Sequence, residues 1–90
     1  MHLPSIEKAV FLYYAKPELE NIDIKELFGA SDSSVRRIKA PVLKAMAEQG
    51  IKSWAPYTIN TRVAYEVWGI NIPEYEERLK KLTQINMLKH

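Results

Sequence analysis

The sequence predicts an all-α fold, a small helical domain of about five helices. Apolar residues recur at intervals of three and four through most of the chain, which is the spacing of one face of a helix. Glycines and prolines fall between these runs, and Ser, Asp or Asn precedes several of them, as helix caps do. Because 90 residues is an ordinary length for one domain, we predict that residues 1–90 fold as a single domain.

The first predicted helix has Pro4 in its first turn and ends before Pro17. Residues 9–15 are apolar nearly all round, so we predict that this helix is central to the core. Phe11 or Leu12 is then left for a partner surface. The apolar residues at helical spacing are Ile6, Ala9, Val10, Tyr13 and Tyr14.

The second predicted helix is short and ends at Gly29, since glycine takes the left-handed backbone of a helix end at low cost. Asp23 is its predicted N-cap, with Glu26 at the spacing of a capping box. Its apolar face consists of Ile24, Leu27 and Phe28.

The third predicted helix is capped by Ser31 or Asp32 and closed by Gly50. Pro41 lies within its apolar stripe and predicts either a kink or the start of a new helix, because the proline ring clashes with the preceding turn. The stripe consists of Val35, Ile38, Val42, Ala45 and Met46.

Residues 51–59 permit two interpretations, a loop or a small hairpin that would form a wing. We favour the loop, because Pro56 cannot donate to a strand ladder and the segment has no turn of the Asn-Gly type. In a loop, Trp54 would pack onto the core as a lid. In a wing, Lys52 would lie beside the third helix.

Two further helices are predicted after this segment. Asn60 caps the first of them and Gly69 ends it. Asn71 and Glu74 mark the start of the last helix, with Pro73 in its first turn. The two inner faces consist of Val63, Ala64, Val67 and Trp68, and of Tyr75, Leu79 and Leu82.

The net charge of +2 is unevenly distributed along the chain. Residues 1–32 carry three basic and six acidic side chains, whereas residues 33–62 carry six basic side chains and one acidic one. Residues 63–90 carry four of each. A basic middle segment indicates either a localised surface for a polyanion or a solvated face that is basic by chance.

Residues 24–40 contain the parts of a helix-turn-helix: a short supporting helix, a glycine turn, and a second helix locked to the first by apolar residues. The chain resembles the helix-turn-helix family of DNA-binding proteins strictly over this segment and loosely over residues 3–49. The residues that carry the resemblance are Ile24, Phe28, Gly29, Val35 and Ile38. Lys25 and Pro41 depart from the family pattern, which prefers a small residue and a longer uninterrupted second helix.

Residues 3–9 and 59–70 look like segments of small DNA-binding proteins from prophages and mobile elements of Gram-positive bacteria. Together the two resemblances imply sequence-specific binding of double-stranded DNA. They also imply a role as a transcriptional regulator or as an accessory protein of a prophage or mobile element.

Six residues are candidates for contacts with DNA. Ser33, Arg36 and Arg37 lie near the start of the second helix of the motif, on the face opposite its apolar stripe. Residues there reach base edges most easily, and an arginine can bond two acceptors of a guanine. The candidates for phosphate contacts are Lys39, Lys44 and Arg62.

Aromatic side chains are a further candidate group, since they can stack on exposed bases. We predict instead that most of them pack in the core or in loops, because Trp68 and Tyr75 belong to apolar stripes. The group consists of Trp54, Tyr57, Tyr65, Trp68 and Tyr75.

Composition argues against several other classes of protein. The chain has no cysteine, which excludes disulfides and thiolate metal sites and suggests a cytoplasmic location. No apolar run is long enough to cross a membrane. His2 and His90 lie at the chain ends, and the three glycines form no phosphate-binding loop, so we predict no enzymatic activity, no small-molecule substrate and no cofactor or metal.

The expected partner is double-stranded DNA, and a homodimer or a protein partner is compatible with the sequence. The alternative function is a helical protein-interaction module that does not bind DNA. Its interface would be the first helix or the helix from Tyr75 to Leu82. Added salt should weaken DNA binding steeply, whereas it should leave an apolar interface intact.

Overall fold

The computed structural model describes residues 5–88, which form five helices and one two-stranded antiparallel sheet. This confirms the predicted all-α fold class. None of the helices described combines the length and the apolar character that crossing a bilayer requires. The helices are α1 (Ile6–Ala15), α2 (Asn21–Phe28), α3 (Asp32–Gln49), α4 (Thr61–Trp68) and α5 (Ile72–Leu88), and the strands are β1 (Glu18–Leu19) and β2 (Ile59–Asn60).

The start of α2 differs from the sequence prediction. Asp23 is not the N-cap, because the helix begins at Asn21 and Glu20 occupies the cap position. Asp23 lies inside the first turn, where its carboxylate accepts a hydrogen bond of 2.8 Å from the backbone N–H of Glu20. The Lys16 amine donates to both carboxylate oxygens at 3.0 Å, so this buried carboxylate is paired.

Helix α3 begins with Ser31 as its cap and runs without interruption through Pro41 to Gln49. No new helix therefore starts at Pro41. The proline lies on the exposed side of α3, where the Arg37 carbonyl, which cannot receive a proline N–H, is able to bond water. Gly50 ends the helix in the left-handed conformation, as predicted.

The core lies where α3 packs against α2 and α4, and where α1 packs against α2 and α5. Tyr65 of α4 is one of its largest fully buried side chains. Its hydroxyl donates to the Ala9 carbonyl of α1 at 2.6 Å, and burial raises the pKa of this tyrosine. The hydrogen bond ties together two helices that are far apart in the sequence.

We expect Tyr65→Phe to lower the free energy of unfolding by about 1 kcal/mol, since it removes one buried hydrogen bond while keeping the ring. Urea denaturation measures the change. Tyr57→Phe is the matched control, because Tyr57 is exposed and should be close to neutral. Equal stabilities of the two variants would contradict a structural role for the Tyr65 hydroxyl.

The segment before α4 is a loop over residues 51–58, as favoured from the sequence, and contains no hairpin. Ile59 pairs instead with Leu19 of β1, which places the strand contact between distant parts of the chain. The prediction that Trp54 covers the core is wrong, because the side chain is 85% exposed. Glu18 explains this arrangement: its carboxylate accepts from the backbone N–H groups of Trp54 at 2.6 Å and Ala55 at 3.2 Å, which fixes the loop with the indole outside.

Lowering the pH should release this loop. Burial alone would raise the pKa of Glu18, but hydrogen bonds from Trp54, Thr58 and Ala55 outweigh burial and lower the pKa below the usual value of a glutamate. The charged carboxylate therefore stabilises the folded chain above the ordinary glutamate pKa, and this stabilisation is lost as the pH falls through the lowered value.

We expect the amide protons of Trp54 and Ala55 to shift together in an NMR titration, with a midpoint below the ordinary glutamate pKa. Glu18→Gln should abolish that transition. A midpoint at or above the ordinary value would contradict the described contacts.

Candidate nucleic-acid interface

Helices α2 and α3 meet across a turn of three residues, 29–31, and are locked together by buried apolar side chains. Gly29 has a φ of 62°, which lets the chain leave α2 in the left-handed conformation. The burial of Val35 and Ile38 in one core with Ile24 and Phe28 is confirmed. The supporting and second helices of the predicted motif are therefore both present and packed.

Lys25 lies in α2 where a small residue is usual in the family that the sequence resembles. Its amine lies 2.9 Å from the Asp32 carboxylate at the start of α3. The long side chain thus reaches across the turn and pairs there, instead of occupying the contact between the two helices.

The exposed side of α3 carries both basic and small residues. Ser33, Arg36, Arg37, Ala40 and Lys44 are all exposed, and we call these five residues the basic face. Successive turns of a helix bring residues at spacings of three, four and seven to the same side, so Ser33, Ala40 and Lys44 lie close to one line, with Arg36 on one side of it and Arg37 on the other. A helix face with small central residues can approach another surface closely.

The cations of the basic face stand apart from the ion pairs that the described part of the chain contains. Among the described residues, none forms an ion pair with Arg36, Arg37 or Lys44. Four of the six sequence-predicted DNA contacts, namely Ser33 and these three cations, are therefore brought together on one solvent-facing surface.

Lys39 is placed differently. Its side chain is half-buried, and its amine donates hydrogen bonds of 2.9 Å to the Asn21 side-chain oxygen and to the Tyr57 carbonyl. Burial lowers the pKa of this lysine. Lys39 thus joins α2, α3 and the 51–58 loop, and the structure does not bring its amine into the basic face.

Arg62 also lies apart from the basic face, in the first turn of α4. Its guanidinium lies 2.9 Å from the Glu66 carboxylate one helical turn further on. An exposed pair at this spacing is weak, so the ion pair can open to release the arginine.

The aromatic residues divide into two groups. The predicted packing role is confirmed for Tyr65, which is buried, and for Trp68 and Tyr75, which are half-buried against the core. Trp54 and Tyr57 are 85% and 84% exposed, so most but not all of the five pack, as predicted, and only the lid role expected of Trp54 is wrong. Tyr57 also has a backbone φ of 65°, a conformation that residues other than glycine rarely adopt.

His2 and His90 are the histidines considered for enzymatic chemistry, and the carboxylates of α5 are those of Glu74, Glu76 and Glu77. His2 and His90 fall outside the described range. Of the α5 carboxylates, Glu74 pairs with Arg78 at 3.0 Å, and Glu76 accepts a hydrogen bond from the Tyr14 hydroxyl. These contacts give the two carboxylates structural partners on α5 and α1.

No protein-family model matches this chain, and neither does any curated protein or solved structure. The likeness to helix-turn-helix proteins therefore stays a prediction made from the chain's own residues.

Proposed function

We propose that this protein binds double-stranded DNA sequence-specifically by placing the basic face of α3 in the major groove. The observation that carries the proposal is a set of three exposed cations, unpaired within the described residues, on a helix held by a buried partner helix. In the cytoplasm, such a protein would act as a transcriptional regulator or as an accessory protein of a prophage or mobile element.

The dimensions of α3 suit the groove. Its 18 residues span about 27 Å, and a helix with its side chains fits the width of the major groove of B-form DNA. Ser33 and Ala40 let the helix axis come close to the base pairs. Arg36 and Arg37 then reach base edges, while Lys44, two turns further along, is better placed for a phosphate.

The electrostatics favour the same interaction. A cation that is already paired must lose its partner before it binds a phosphate, whereas Arg36, Arg37 and Lys44 have no such partner among the described residues. Each phosphate that they neutralise releases condensed counterions from the DNA, which favours binding at low salt.

Selection from a random duplex library tests the proposal directly. We expect the selection to enrich one sequence. A plot of the logarithm of the binding constant against the logarithm of the salt concentration should fall with a slope of about −0.9 for each phosphate contact. Fluorescence anisotropy at several salt concentrations, with the selected and a scrambled duplex, gives both quantities. Failure to bind either duplex at low salt would rule out the DNA function.

A second candidate function is supported by α1. Phe11 and Tyr14 are 63% and 68% exposed there, and Phe11 matches the partner surface anticipated from the sequence, whereas Leu12 is buried. A protein partner or a second copy of the chain could cover them. Such an interface would be weakened by Phe11→Ala and little affected by salt, which distinguishes it from DNA binding.

A further inference from the structure

A groove of about 880 Å³ opens between the α2–α3 turn, the first half of α3 and the end of α4. Phe28, Ile38, Pro41, Val67 and Trp68 provide apolar walls. This volume lies within the range of small-molecule sites, which are mostly apolar with a few polar groups that fix the ligand's orientation. The groove is therefore large enough for a small ligand.

Arg37 lines this groove, whereas its neighbour Arg36 does not. Arg37 thus stands at the border between the basic face and the groove. No carboxylate lines the groove, and no described residue forms an ion pair with the guanidinium. The site consequently offers one uncompensated positive charge beside apolar walls.

The other polar groups of the groove have less to offer a ligand. The Ser31 hydroxyl donates to the Ser34 hydroxyl at 3.1 Å, which uses the Ser31 proton and leaves the Ser34 hydroxyl as a neutral donor beside Arg37. Pro41 has no N–H to give the Arg37 carbonyl, which leaves that oxygen without its helical partner. A ligand would therefore obtain its polar contacts mainly from Arg37.

This arrangement indicates the chemistry of the occupant. Apolar walls favour an apolar body, and Phe28 and Trp68, whose ring centroids are 4.9 Å apart, present aromatic surface to it. A guanidinium binds a carboxylate through two parallel hydrogen bonds. The aromatic walls thus favour an aromatic body, and the charge of Arg37 favours a carboxylate over a neutral or cationic group. Together they indicate a small aromatic carboxylate.

We propose that the groove binds a small aromatic carboxylate through Arg37, and that this ligand competes with DNA for the same guanidinium. The ligand site itself stands on the groove, while the competition rests on the proposed DNA function. Coupling between two binding sites is reciprocal. Bound DNA would therefore lower the protein's affinity for the ligand by the same factor by which the ligand lowers its affinity for DNA.

Phenylbutyrate and phenylbutanol are suitable probes, since they share an apolar body and differ in charge. In a Trp54→Phe background, Trp68 is the sole tryptophan and lies in the groove wall. We expect phenylbutyrate to change the Trp68 emission with saturation, and to bind about tenfold more tightly than phenylbutanol, as a charge-assisted hydrogen bond implies.

Arg36 and Arg37 provide a matched pair of variants. Arg37→Gln should reduce phenylbutyrate affinity by about tenfold and remove the preference over phenylbutanol, whereas Arg36→Gln should leave both unchanged. Both residues are exposed, so circular dichroism should report intact folds. An unchanged Trp68 emission on adding phenylbutyrate, or equal losses of affinity in the two variants, would each overturn the proposal.

The competition has its own readout. Phenylbutyrate should lower the affinity of the Trp54→Phe protein for the selected duplex, and should have no such effect when Arg37→Gln is added. If the protein bound no DNA, the Trp68 titration would still succeed or fail independently. If it bound DNA and phenylbutyrate together without mutual weakening, the competition would be refuted while the DNA function would stand.

Discussion

Ile38→Ala is expected to lower the free energy of unfolding by about 2–5 kcal/mol, the range for emptying a core aliphatic site. Ile38 is 8% exposed and belongs to the core that joins α2, α3 and α4. Its carbonyl also accepts a hydrogen bond of 3.3 Å from the Trp68 indole N–H. The truncation would remove apolar contacts with α2 and α4 and widen the groove that Ile38 lines, and urea denaturation measures the loss.

Leu43→Ala is the matched control on the same helix. Leu43 is 47% exposed, so removing its side chain should change stability by no more than about 0.5 kcal/mol. A stability of Ile38→Ala equal to that of Leu43→Ala would place Ile38 on the surface and contradict the packing of α2 on α3.

Local signals explain why most helix ends could be predicted from the sequence. Gly29, Gly50 and Gly69 each end a helix with a positive φ, and Asn60 caps α4 by accepting from the Val63 N–H at 3.0 Å. These features depend on residues within one turn of each other. The start of α2 is also marked by a local signal, but Asp23 is the N3 residue of a capping box with Glu20 and not the N-cap, because a carboxylate can occupy either position of the box.

Contacts between distant segments were outside the reach of sequence periodicity. Nothing in residues 51–59 alone indicates that Glu18 binds the loop amides or that Ile59 pairs with Leu19. A tryptophan is ordinarily expected to bury its large apolar surface, which is why Trp54 was expected to cover the core. The indole lies outside instead, because the backbone N–H of Trp54 donates to the carboxylate of Glu18, which is 36 residues away in the sequence.

The candidate interface was partly predictable for the same reason. The helical period places Ser33, Arg36 and Arg37 opposite the apolar stripe, and α3 keeps that arrangement. Lys39 lies at the edge of the same helix, but the fold brings the Tyr57 carbonyl to its amine. Helical position alone could not distinguish a free lysine from one that fastens a loop.

Lys44→Ala should weaken binding of all duplexes about equally, because a phosphate contact carries no sequence information. It should also reduce, by about one unit, the slope of the logarithm of the binding constant against the logarithm of the salt concentration. Lys81→Ala is the matched control, since it removes one positive charge from an exposed position on α5. Equal behaviour of the two variants would mean that Lys44 acts only through the net charge.

Arg36→Ala and Arg37→Ala should each weaken binding of the selected duplex by about 1–3 kcal/mol and relax the preference at one base position. The reason is geometric: both guanidinium groups leave α3 within its first two turns, on the side opposite Val35 and Ile38, where a major-groove helix meets base edges. Anisotropy with selected and scrambled duplexes separates this effect from the uniform loss expected for Lys44→Ala. If both arginine variants weakened the two duplexes equally, α3 would be holding the DNA backbone without reading its sequence.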